Sequence, residues 1–342
     1  MERTKNDLAM LQALPLDVKV RMTQNRIREW VREFGTSGVY VSFSGGKDST
    51  VLLHIVREMY QDIEAVFVNT GLEYPEIQKF VRTFDNVTIL RPNMRFDEVI
   101  KRYGYPIISK SVANCIYGAR LGQQSRLNLL DEKDCDGSER RSKFAKAKYK
   151  PLLDVDFKIS DMCCDVMKKR PCYAFEKRMG KKPILATMAH ESMYREKNWY
   201  KSGCNAFDSK HPKSAPMSFW TEQDVLLYIK INNLSIASVY GDIVSKDDSG
   251  LEYLTELVPA GKLYTTGCKR TGCIFCAFGC HLEKEPSRFQ RLKETHPKQY
   301  EYCIGGGEYA SGVWQPNKQG LGMGHVFDVL NELYGAAFIK YK

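Results

Sequence analysis

A chain of 342 residues with 43% hydrophobic and 27% charged residues can bury one large core, or one core plus a smaller appended region, and this composition excludes a disordered or fibrous chain. The formal net charge of +10 suits anionic partners such as nucleotides, sulfate esters or nucleic acid, and by itself says nothing about fold. No stretch approaches the roughly 18 uninterrupted apolar residues of a membrane span, and the opening residues MERTKNDLAM lack the basic-then-apolar pattern of a secretory signal. The expected location is therefore the cytoplasm, where eleven cysteines indicate metal or redox chemistry more than disulfides.

Hydrophobic periodicity predicts an amphipathic helix over Leu16–Phe34, with Val18, Val20, Met22, Ile27, Trp30 and Val31 facing inward. The β-branched and aromatic run Val39–Phe43 predicts a buried strand. It breaks at Ser44-Gly45-Gly46, and helical periodicity follows from Asp48 to Tyr60. Strands at Ile63–Val68 and Val87–Leu90 alternate with helices at Pro75–Phe84 and Phe96–Tyr103, and a further strand is expected at Ile184–Ala189, its successor helix starting near Glu191. This alternation implies an α/β fold, a doubly wound and mostly parallel sheet with crossover helices.

A polar insertion runs from about Leu121 to Lys150 and ends in six basic residues within eleven positions, Arg140, Arg141, Lys143, Lys146, Lys148 and Lys150. Charge runs usually face water, and the alternative is a contact to nucleic acid or another polyanion. From about Leu251 cysteines and glycines cluster, and an amphipathic helix is expected near Val326–Tyr334. The reading is a nucleotide-binding domain over residues 1–250 and a small cysteine-rich, helical module over 251–342.

Strand, then Ser44-Gly45-Gly46-Lys47-Asp48-Ser49, then helix is an arrangement with a mechanism. Adjacent glycines allow a tight turn that brings backbone N–H groups close to an oxyanion. The following helix aims its free N–H groups and positive dipole end at the same place. Ser44 and Ser49 add hydroxyl donors, and Lys47 adds a full charge. A glycine turn with a helix cap would need far less than this hexapeptide supplies.

The loop is the PP-loop motif of adenine nucleotide alpha-hydrolase-like enzymes, and further residues resemble the phosphoadenosine phosphosulfate (PAPS) reductase family. Phe67-Val68-Asn69-Thr70-Gly71-Leu72-Glu73-Tyr74-Pro75-Glu76 is similar to that family's Asp-Thr-Gly…Pro-Glu segment, with Asn69 in place of Asp. Cys163-Cys164-Asp165-Val166-Met167-Lys168 resembles its Cys-Cys-x-x-x-Lys element, Glu191-Ser192-Met193-Tyr194-Arg195 its Glu-Ser-x-x-Arg element, and Trp220-Thr221-Glu222-Gln223-Asp224-Val225 its Trp-Thr-x-x-Asp-Val element. The resemblance implies a nucleotide over the C-terminal edge of the sheet, with adenine near Ser42, Phe43, Asn69, Thr70 and Gly71. It implies Lys47, Asp48, Lys168 and Arg195 around the phosphate or sulfate end.

Four cysteines fall within thirteen positions at Cys268, Cys273, Cys276 and Cys280, a density that indicates metal binding over inert buried thiols. The resemblance to iron–sulfur members of the family pairs Cys163 and Cys164 with Cys273 and Cys276 around a four-iron four-sulfur cluster. A local quartet of the four clustered cysteines, suited to zinc or to a cluster, is the alternative, as is a mixed set with Cys164 and Cys268. Cys115, Cys135, Cys172, Cys204 and Cys303 show no ligand spacing. The Glu-Cys-Gly-x-His segment whose cysteine attacks the sulfonate in the family's reductases does not occur in these residues.

Three functions compete. The first is adenylylation or sulfur transfer using ATP, with Mg as its companion ion and a nucleic acid and a sulfur donor protein as partners. The second is reduction of adenylyl sulfate or its 3′-phosphorylated form. A non-catalytic nucleotide-binding subunit is the third, and the intact Lys47-Asp48-Ser49 speaks against it.

Overall fold

The computed structural model describes residues 3–131, 146–246, 252–253 and 261–342. The chain forms two compact units, one of Met1–Asn69, Glu73–Arg91 and Pro171–Gly272, the other of Thr70–Leu72, Pro92–Arg170 and Cys273–Lys342.

The first unit is built on a six-stranded sheet in the order Val87–Leu90, Ala65–Val68, Val39–Ser42, Lys182–Leu185, Lys213–Ser214, Asn205–Ala206. All neighbours run parallel except the last pair. The central strand sets Val41 opposite both Ala65 and Ile184, and all three side chains are fully buried, as a strand covered on both faces requires. The chain runs outward from Val39–Ser42 through two strands on one side, then returns to place Lys182–Leu185 on the other. That reversal is a topological switch point, beside which open α/β sheets bind ligands at their C-terminal strand ends.

Helix Leu16–Phe34 forms over the predicted span and ends at Gly35, whose φ of +74° stops it. Its inner stripe holds Ile27, Trp30 and Val31, but also Lys19 and Thr23, while Val18, Val20 and Met22 are only half-buried. Two polar residues enter the core because each has a partner there. Lys19 Nζ donates to both carboxylate oxygens of Asp224, and Thr23 Oγ1 accepts from Trp220 Nε1.

Several boundaries differ from the periodicity. The second strand starts at Ala65, because Ile63 closes a turn onto the Tyr60 carbonyl. Helix Pro75–Val81 stops short of Phe84, where the Thr83 hydroxyl bonds back to the Phe80 carbonyl and competes with the helical pattern. Lys182–Leu185 leaves the sheet early, and a short 3₁₀ turn at Ala189–Glu191 precedes helix Met193–Ser202, capped by the Ser192 hydroxyl.

The second unit is mainly helical, with Phe96–Tyr103, Lys110–Arg120, Gln124–Leu130, Arg288–Thr295, Pro297–Ile304 and Met323–Tyr334. Ile107–Ile108 pairs in parallel with Ala277–Phe278, so the cysteine segment is stitched to residues far upstream. Arg120 gathers the carbonyls of Leu152, Leu153, Val155 and Phe157, holding a stretch that has little secondary structure of its own. Of the basic run, Arg140, Arg141 and Lys143 lie outside the described residues, as does Cys135. Lys150 pairs with Asp131 at 2.6 Å. Among the described residues no helix is long and apolar enough to cross a membrane.

Candidate functional site

The loop Ser44–Ser49 leaves the C-terminal end of the central strand, next to the switch point. Gly45 has φ +71°, and a Cβ there would stand 2.7 Å from Val81 Cγ2 and 2.8 Å from Ile77 Cγ2. Only glycine meets both the backbone sign and the close approach. Gly46 is the N-cap, and the helix begins at Lys47, one residue earlier than the pattern implies.

Hydroxyl groups occupy the loop's own N–H donors. Ser49 Oγ accepts from the Ser44 N–H at 3.2 Å, and Ser44 Oγ from the Gly46 N–H at 3.3 Å. Tyr240 Oη accepts from the Lys47 N–H at 3.2 Å. Ser49 and Thr50 in turn donate to the Gly46 carbonyl. These bonds tie the loop backbone to its own hydroxyl groups and to Tyr240.

Lys47 is 3% exposed. Its ammonium donates to the Lys269 carbonyl at 2.9 Å and lies 3.3 Å from Glu222 Oε1 and 3.9 Å from Asp48 Oδ1. Asp48 Oδ1 is enclosed and accepts no hydrogen bond among the described residues. Burial pushes the Asp48 carboxyl above its ordinary range, against the pull of Lys47 and Arg270. Nearby, Glu191 holds two arginines, Arg195 on Oε2 and Arg270 on Oε1 at 3.6 Å. Burial, then the neighbouring Arg270, lowers the Arg195 guanidinium. The loop is thus ringed by three cations balanced by carboxylates, a site that can exchange internal partners for an anionic ligand.

The residues expected around adenine separate in role. Phe43 is buried with its ring against Phe84 at 5.0 Å, so its side chain belongs to the core while its N–H pairs with the Val66 carbonyl. The Asn69 N–H donates to the Leu90 carbonyl at 2.9 Å. Thr70 and Gly71 belong to the second unit. There Thr70 Oγ1 accepts from the Leu72 N–H, and Gly71 at φ +75° has open space where a Cβ would point.

Cys163, Cys164, Cys273 and Cys276 all lie in the second unit, and Cys268 in the first. Cys163 and Cys164 close a short helix that continues as a π-helical turn, Asp165–Lys169, a distortion common at functional sites. The Cys164 thiol is pulled down to about 5, by a hydrogen bond from Cys163 and then by Lys110 and Lys168. Cys163 is the partner that keeps its proton, within reach of the charges of Cys276 and Cys273. Burial pushes Cys276 up, and Cys280, whose Sγ donates to the Ala277 carbonyl, is pushed up to about 12. Lys168 therefore stands beside the cysteines.

A thiol-rich donor set with lysines beside it is the chemistry a soft-metal or iron–sulfur group needs. The described residues do not draw three or more His, Cys, Asp or Glu side chains into a formed metal site. The fit is thus one of donor chemistry and shared location.

Several site residues escape a reading of the sequence. Glu191 and Glu222 sit inside quoted motifs but gain a role only through the basic groups they meet. Tyr240 carries no motif. The Lys269 contribution is a main-chain carbonyl, which no side-chain pattern can announce. Arg270 and Thr271 lie between Cys268 and Cys273, where the cysteines dominate the pattern.

Comparison with known proteins agrees with the loop geometry. The model of the phosphoadenosine phosphosulfate reductase domain matches residues 38–107, the central strand, the loop and the Asn69-Thr70-Gly71 segment. Two uncharacterized proteins of Methanocaldococcus jannaschii are 23% identical over 266 and 295 residues, covering 76% and 81% of this chain. The chain spans 45% of the length of each of these curated relatives. A crystal structure of phosphoadenylyl-sulfate (PAPS) reductase from Candida auris, a phosphate complex, aligns with a TM-score of 0.37 and 14% identity, covering 70% of this chain and 91% of that one. Over the central strand and the loop at its C-terminal end, the chain thus carries a stretch similar to the phosphoadenosine phosphosulfate reductase domain.

Proposed function

We propose that the chain is a cytoplasmic PP-loop enzyme that binds ATP, with Mg as its companion ion, and adenylylates an acceptor as the activating step of sulfur transfer. The observation that carries this reading is Lys47. It is a buried ammonium at the start of a helix, at the switch point of a parallel sheet, with Arg195 and Arg270 close by.

In this mechanism the loop N–H groups and Lys47 hold the β and γ phosphates. The acceptor's nucleophile attacks the α phosphorus, the bond to the bridging oxygen breaks, and pyrophosphate leaves with the electron pair. Negative charge grows on that oxygen, so donors fixed beforehand stabilise the transition state more than the ground state. Arg195 orients the phosphate chain. Cys273 and Cys276, with Cys163 and Cys164, would hold a four-iron four-sulfur cluster, zinc being the alternative, and a bound cluster would supply sulfur or electrons. Lys110 and Lys168 offset the negative charge of the thiolates. The net charge of +10 favours a polyanionic acceptor, a nucleic acid, served by a sulfur donor protein.

Release of pyrophosphate from ATP, dependent on Lys47, tests the reading. The family match favours a second one, in which the same loop grips adenylyl sulfate or its 3′-phosphorylated form. Sulfite release from those compounds without pyrophosphate release from ATP would replace the first reading with the second.

A further inference from the structure

Residues Gly267–Gly272 close on the phosphate loop within the first unit. The base of this strap is fixed by backbone bonds, from the Gly267 N–H to the Tyr240 carbonyl at 2.8 Å and from the Cys268 N–H to the Val239 carbonyl at 2.9 Å. Gly267 has no room for a side chain, since a Cβ would stand 2.4 Å from the Val239 carbonyl oxygen. Three consecutive residues then meet the loop or the side chains beside it. The Lys269 carbonyl takes the Lys47 ammonium, Arg270 lies on Glu191, and Thr271 Oγ1 meets Tyr240 Oη at 2.6 Å. Tyr240 Oη is the same atom that accepts from the Lys47 N–H.

Each of these contacts engages a group that an oxyanion would want. Lys47 is held by a neutral carbonyl with Glu222 as its nearest carboxylate, and the Lys47 N–H is held by a phenol. Glu191 shares one carboxylate between two guanidiniums, and the pairing is unequal. Arg195 is four residues on, in the helix that follows Glu191, while Arg270 is 57% exposed and stands at the longer distance of 3.6 Å. A pair of that length with its guanidinium largely in solvent contributes little, so Arg270 is the arm that turns at least cost. Its charge already acts on Asp48 and on Arg195, which places it within reach of whatever the loop holds.

We propose that Arg270 is an anion-binding residue of the nucleotide site, carried by a strap whose resting contacts from Lys269 and Thr271 are exchanged for phosphate or sulfate oxygens of the ligand. This rests on the nucleotide-binding reading above. Oxyanion recognition by a guanidinium is charge-assisted and geometrically specific, so the strap adds affinity for the charged end of the ligand and none for the nucleoside.

The test is calorimetry of ATP, adenylyl sulfate and adenosine on the full chain carrying R270Q or R270K. R270Q is expected to weaken the charged ligands by about ten- to a hundredfold and to leave adenosine unchanged, with R270K recovering part of the loss. The two charged ligands show whether phosphate or sulfate is the oxyanion served. Unchanged affinity for both charged ligands overturns the proposal, and so does an equal loss for adenosine, which would mark a structural role. A native chain that binds neither ATP nor adenylyl sulfate would instead remove the nucleotide reading itself. As a second variant, T271V is expected to weaken the charged ligands severalfold without altering adenosine binding, and no change in that ratio counts against the strap.

Discussion

Lys19 and Asp224 form a buried ion pair, with the ammonium 2.8 Å and 2.7 Å from the two carboxylate oxygens and also bonded to the Gln12 carbonyl. The pair ties helix Leu16–Phe34 to the start of helix Glu222–Ile231, where Asp224 also closes a capping box with Thr221. Lys19→Met leaves the Asp224 carboxylate enclosed and without its cation. Breaking a buried pair in this way costs about 3–5 kcal/mol, so the urea midpoint should fall markedly. A midpoint equal to the native one would show that the pair is energetically idle.

Gly45→Ala places a methyl group between Ile77 and Val81 in a backbone region that L-residues avoid. Overpacking of this kind costs about 1–3 kcal/mol, and because the strain falls on the loop, ATP affinity should drop along with Tm. A variant with native Tm and native ATP affinity would contradict the loop geometry.

Lys47→Ala removes a charge-assisted contact of about 1.5–3 kcal/mol. Calorimetry should show ATP or adenylyl sulfate binding weakened by about ten- to a hundredfold. Unchanged affinity for both ligands in a folded variant would defeat the phosphate-loop assignment.

Asp48 gives a pH-dependent signature. Its carboxyl is raised in the folded chain by burial, so the folded state binds the proton more tightly than the unfolded one. The stability this group contributes is present in full below its unfolded value of 3.8 and is lost as pH rises through the raised folded value. Asp48→Asn should therefore raise Tm at pH 7 and flatten the decline in stability above pH 3.8. A Tm at pH 7 below that of the native chain would mean that Lys47 and Arg270 outweigh burial.

Cys273→Ser and Cys276→Ser should each abolish or badly disturb the iron content and the visible spectrum of anaerobically purified protein, while Cys135→Ser leaves both alone. Serine replaces thiolate poorly at a soft metal. Normal iron and spectrum in both variants would remove these two residues from the ligand set, and zinc in place of iron would change the metal but keep the site.

What was legible in the sequence follows from distance along the chain. Val39–Ser42, the glycine turn and the helix from Lys47 are contiguous, so composition and periodicity declare them together. Cys163 and Cys276 are far apart in sequence, and only the family resemblance placed them side by side. Lys19 and Thr23 were passed over because burial of a polar side chain depends on partners, Asp224 and Trp220, that lie some 200 residues away. The resemblance sets adenine near Phe43, whose N–H pairs with the Val66 carbonyl while its ring packs on Phe84 in the core. Arg270 and the Lys269 carbonyl emerge only from folding, which returns the chain to a loop that it left long before.

The division of the chain has a genetic consequence. The first unit needs residues from the N-terminal helices through Gly272, and the second needs residues from Thr70 to Lys342. No continuous piece contains all of one and none of the other, and a break anywhere between positions 92 and 272 removes part of both. The phosphate loop and the cysteines are therefore not separable cassettes. A truncation within that span cuts into the phosphate-loop unit and the cysteine-bearing unit together.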